Sequence, residues 1–192
     1  MGEVRPIQTH ALDNLRFIRE TMERSAAFTA VPGWAGVAMG VSALIAAWIA
    51  TRQTSPELWL ATWLGEGMIA IAIGAFGMVE KSIRTGSSLS STPARKFALS
   101  FAPPLAVGAF LTAALWQAGA VHLLPGVWLM MYGTAVITGG AFSVRIVPAI
   151  GGVFVALGAV ALFVRAGDLF LALGFGVAHI IFGVIVARRF GG

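Results

Sequence analysis

The chain contains no cysteine. Disulfides, thiolate metal sites and thiol redox chemistry are therefore excluded. Charge is scarce as well. Asp, Glu, Lys and Arg make up 11% of the 192 residues, against about 25% in an ordinary soluble domain. An apolar run with a cleavage site is also missing from the start. Met1 to Phe28 is polar and charged, so no signal peptide is read there. What the chain has instead is hydrophobic residue, 58% of the total, with a mean hydropathy of +0.87. Too little polar side chain is left to cover a surface in water. The lipid bilayer is the solvent that matches such a composition.

The net charge of +5 does not point to nucleic acid. The basic residues form short clusters beside apolar runs, a pattern that belongs to membrane topology and anionic headgroups. Six apolar runs are read, at about 31–50, 58–79, 97–117, 125–143, 147–164 and 169–187. Each is near the ~20 residues that cross a hydrocarbon core. Ser55-Pro56-Glu57 reads as a helix start, with a cap residue, a first-turn proline and an acid near the positive helix end. Thr92-Pro93 reads the same way. Pro103-Pro104 should kink the third span. The stretch Ser82 to Ala94 reads as the longest loop.

Orientation follows from the loops. Arg5, Arg16, Arg19 and Arg24 precede the first span, and Lys81, Arg84, Arg95 and Lys96 follow the second. Arg145 follows the fourth and Arg188-Arg189 the sixth. These are eleven of the thirteen basic residues, and all fall on one face; Arg52 and Arg165 fall on the other. The basic face is expected to be cytoplasmic, with both termini on it. Trp48, Trp59, Trp63, Trp116 and Trp128 fall at the opposite face, where an aromatic belt belongs. The expected location is the cell (inner) membrane.

Residues 9–28 read as an amphipathic helix. Leu12, Leu15, Ile18, Met22 and Ala26 recur at helical spacing, and Arg16–Glu20 and Arg19–Glu23 are opposite charges four apart. Its apolar stripe lies on the membrane, packs on the bundle or binds a cytoplasmic partner. The domain division is therefore a cytoplasmic helix at 1–29 and a six-helix transmembrane domain at 30–192. Gly36-Val37-Ala38-Met39-Gly40 marks a close helix contact, within the bundle or between protomers of a homo-oligomer.

The even spans share Gly-x-small-x-Ile, at Gly65 to Ile69, Gly133 to Ile137 and Gly176 to Ile180. The pattern suggests three repeated hairpins, unless composition alone produces it. Gly-rich even spans with the ending His179-Ile180-Ile181-Phe182-Gly183-Val184 resemble the HdeD family of small bacterial six-span membrane proteins. That family is linked to acid resistance. The resemblance implies topology only, and no functional residue is carried over from it.

Two ionisable side chains fall inside spans. Glu66 lies in the second, where a charged group costs ~2.5–3.5 kcal/mol on insertion scales. It reads as a proton- or cation-binding group, or as a protonated hydrogen-bonding link between helices. Its flanking glycines would admit a neighbouring helix. His179 in the sixth span and Tyr132 in the fourth lie at a similar depth, which makes them its expected partners. Alternatively, His179 donates to a backbone carbonyl in a glycine-rich seam. Thr134 could join the cluster. One His and one Glu are too few ligands for structural zinc, and His10 and His122 lie too far from His179 for haem, so no cofactor is expected. The methionines read as packing residues. No catalytic motif is found, and the chain is not read as an enzyme. The expected function is transport or sensing of a proton, a cation or a small solute through Glu66, Tyr132 and His179. The alternative is an accessory membrane subunit that binds a partner protein.

Overall fold

The computed structural model describes residues 13–18, 28–144 and 146–190, and among them it is built of helices with no strand longer than an isolated bridge. The main helices are α1 (Gly33–Ala50), α2 (Pro56–Thr85), α3 (Thr92–Gln117), α4 (Leu124–Gly140), α5 (Ile146–Ala161) and α6 (Gly167–Phe190). Five are long and apolar enough to cross a membrane, α4 when the 3₁₀ turn Val121–Leu123 before it is included. The exception is α5, an apolar helix of 16 residues, roughly 24 Å at 1.5 Å per residue.

Local signals set several boundaries. Ser55 caps α2 through its side chain and Pro56 opens the helix, as its sequence signal indicates. The cap of α3 is Ser91 rather than Thr92, which is already helical. The expected long loop after the second span is short, because α2 runs on to Thr85 and stops at Gly86, whose φ of 65° is left-handed. That conformation costs glycine little.

Pro103 and Pro104 lie inside α3, and the helix continues through them. Pro104 has no N–H to give Ser100, four residues back. The Thr138 hydroxyl of α4 donates to the Ser100 carbonyl instead, at 2.7 Å.

Glycine decides which helices touch. Gly33 and Gly40 on α1, and Gly176 and Gly183 on α6, are each seven residues apart and face one another across an antiparallel seam. A methyl added at Gly40 would sit 2.6 Å from the Gly176 carbonyl oxygen, and one at Gly183 would sit 2.6 Å from that of Gly33. A second seam joins α4 and α5, through Gly126 and Gly133 against Gly158 and Gly151. A period of seven keeps one stripe of a helix against its neighbour. Gly36 meets Gly183 as well, so Gly36 and Gly40 are filled by α6 of the same chain. The hairpin pattern is not repeated in packing. Gly65 has nothing within 4 Å of its Cβ position, whereas Gly133 and Gly176 are tightly covered. Gly67 is open too, so the glycines flanking Glu66 do not seat a helix.

The two ends of the bundle differ. At the basic end, Phe28 is extended rather than helical. Its N–H donates to the Phe142 carbonyl at 2.7 Å, and Ser143 donates back to the Phe28 carbonyl at 2.6 Å. Buried Lys81 donates to the carbonyls of Val31 and Phe190, both at 3.0 Å, placing a cation at the negative end of α6. Of the expected amphipathic helix, residues 13–18 are helical and exposed; residues 9–12 and 19–27 lie outside the described residues.

At the other end, Trp59 and Trp128 stack at 5.5 Å with planes 7° apart. Trp59 donates to Asp168 at 2.7 Å, and Trp128 donates to Thr112 at 2.8 Å. Those contacts tie α2, α4, α6 and α3 together. Trp63, expected in the belt, is buried in the core instead. It lies one turn deeper than Trp59, on the face of α2 turned toward the other helices.

Candidate functional site

The three residues expected to act together fall into two constellations. Tyr132 and His179 form one. The Tyr132 hydroxyl and His179 Nε2 are hydrogen-bonded at 2.7 Å. Their rings sit among Phe101, Phe154 and Phe175, with Tyr132–Phe154 and His179–Phe154 centroids 4.9 and 5.0 Å apart. Phe28, Phe97 and Phe101 extend this column of rings toward the basic end. Residues Ala172–Ala178, just before His179, form a π-helical segment, a rare geometry that recurs at functional sites. His179 Nδ1 is buried and makes no hydrogen bond of normal geometry, although the carbonyls of Gly174 and Phe175 lie beside it.

Glu66 belongs to the other constellation. Its partner is Ser42, whose hydroxyl donates to Glu66 Oε1 at 2.8 Å. Glu66 makes no hydrogen bond to Tyr132 or His179, which corrects the expected pairing. Depth alone did not settle the matter, because rotation did. Gly176, Ile180 and Gly183 turn one face of α6 toward α1. His179, about 100° around the helix from Ile180, then turns toward α4 and α5. Glu66 turns toward α1. Thr134 donates back to the Met130 carbonyl on its own helix and joins neither constellation.

Glu66 is only 7% exposed, yet it lies on the wall of a groove of about 470 Å³ between α1 and α2. The groove opens on the outer surface of the bundle, lined by Ser42, Gly65 and Glu66 between the flanking side chains of Ile45, Ile49 and Ile69. Such an opening gives a molecule in the surrounding medium access to a carboxyl that is otherwise packed away. Sequence reasoning missed Ser42. It is the one hydroxyl residue of α1, eight residues from that helix's end and at nearly the depth of Glu66. Depth matching of every polar side chain would have found it.

No protein-family model, curated protein or solved structure matches this chain. The functional reading therefore rests on the two constellations themselves.

Proposed function

We propose that this is an inner-membrane protein with six crossings and both termini in the cytoplasm, and that it transports or senses a proton, a cation or a small solute at Glu66. The six-crossing reading draws support from the α4–α5 seam. It runs from Gly126 opposite Gly158 to Gly140 opposite Val147, so the short α5 keeps pace with a neighbour long enough to span. The apolar Leu162-Phe163-Val164 that follows α5 adds to its length. The HdeD-like resemblance remains part of the proposal and rests on the glycine-rich even spans and the ending His179 to Val184.

One observation carries the functional reading. A carboxyl at mid-span lies beside an open groove and is held by a single neutral hydroxyl. Carboxyl groups at such depth are costly and tend to serve a function. Tyr132 and His179 act in this reading as a buried hydrogen-bonded pair next to a π-helical segment, able to respond to movement of α6. Proton and cation flux into liposomes containing the purified protein tests the proposal. Glu66→Gln should abolish flux, and equal flux in wild type and variant would overturn the reading.

A second reading is an accessory subunit that binds a partner through its N-terminal segment. Leu15, Phe17 and Ile18 are 63%, 70% and 52% exposed, which favours a surface role for that segment. Under this reading, removal of residues 1–29 abolishes partner capture while Glu66→Gln leaves it intact.

A further inference from the structure

We propose that the groove between α1 and α2 binds lipophilic organic cations that enter it sideways from the bilayer, with the Glu66 carboxylate as their counter-charge. The inference deepens the Glu66 reading given above and rests on it. Three features of the groove select this class of ligand.

The walls are apolar and face outward. Ile45, Ile49 and Ile69 are 55%, 38% and 52% exposed. A hydrophobic body can therefore pass from lipid into the groove without crossing water.

The acid has no cation of its own. Ser42 is a neutral hydroxyl within hydrogen-bond distance of one Glu66 carboxyl oxygen and of the Met39 carbonyl, and among the described residues no Lys, Arg or His forms an ion pair with Glu66. In its ionised form such a buried acid calls for a partner charge. An apolar cation supplies that charge and keeps its hydrophobic body against the isoleucines. A bare metal cation is a poorer match. Hard cations take several oxygen ligands, and the side chains lining this groove offer oxygen only at Ser42, Thr62 and Glu66.

The space is also the right size. About 470 Å³ falls within the roughly 300–1,000 Å³ of small-molecule sites. Gly65 keeps the groove clear, because a Cβ there would meet nothing within 4 Å.

Binding of tetraphenylphosphonium to the full-length protein in lipid nanodiscs, measured by equilibrium dialysis, tests the proposal. Wild type should bind it saturably. Glu66→Gln should weaken binding by about tenfold or more, the effect of removing a charged partner. Gly65→Leu should weaken it similarly by filling the groove while leaving the carboxyl in place, so the test does not depend on one variant's folding. Unchanged affinity in both variants would overturn the proposal. Tetramethylammonium carries the same charge without the apolar body, and should bind about tenfold more weakly or worse. Equal affinity for the two cations would overturn the lipophilic class and leave a general cation site at Glu66. No tetraphenylphosphonium binding alongside Glu66-dependent proton flux would overturn this inference and leave the parent reading standing. Absence of both binding and flux would overturn both.

Discussion

Gly133 and Gly151 meet backbone to backbone across the α4–α5 seam. A Cβ on Gly133 would lie 2.7 Å from the Gly151 carbonyl oxygen, and one on Gly151 would lie 2.6 Å from that of Gly133. The clash would be with main chain on both sides, which cannot swing aside as a side chain can. In lipid such close approach is a main source of helix association, because burial of apolar surface gives no advantage over contact with acyl chains.

Substitution at this contact should therefore separate sharply from substitution at an open glycine. Gly133→Ala or Gly151→Ala should destabilise the bundle by about 1–3 kcal/mol, as overpacking does. Gly65→Ala should be neutral or stabilising by up to about 1 kcal/mol, from helix propensity alone. Thermal unfolding in detergent measures all three. Comparable losses at Gly65 and Gly133 would show that the seam does not govern stability.

The Tyr132–His179 bond should behave as a coupled pair. Tyr132→Phe removes the hydroxyl and leaves a buried ring nitrogen without its partner, at a cost of about 1–3 kcal/mol. A double-mutant cycle with His179→Phe should return a coupling energy of about 0.5–3 kcal/mol. Strict additivity of the two single substitutions would mean that the hydrogen bond contributes nothing.

Thr138 should matter because of Pro104. Thr138→Val removes the hydroxyl that donates to the Ser100 carbonyl, at a cost of about 1 kcal/mol. In a Pro104→Ala background the helix supplies its own donor to that carbonyl, and the same Thr138→Val change should cost less. An equal cost in both backgrounds would separate Thr138 from the proline.

The proposed threading is open to a direct test, since the chain has no native cysteine. A single cysteine at His122 or Arg165 should react with a membrane-impermeant maleimide in intact cells. One at Arg95 should react only after permeabilisation. The reverse pattern would invert the topology.

The composition and periodicity of the sequence determined that the chain is helical and where most helices lie. Those properties are local. Runs of apolar residues set helix existence, and Ser55 with Pro56 set one start. They fall short where the stop signal is conformational, as at Gly86, and where a span is short, as in α5. That Tyr132 and His179 share a level was legible too, because level is a count along a helix. The partner of Glu66 was not. A helix that is apolar all round gives no sign of its rotation, so nothing along the chain told whether Glu66 faced Ser42 or His179. That choice was made by the glycine seam between α1 and α6. It presses Gly176 and Gly183 against α1, turns His179 to Tyr132 and the phenylalanines, and leaves Glu66 to Ser42 at the edge of an open groove. Close contact of backbones fixes rotation, and only the tertiary structure brings those backbones together.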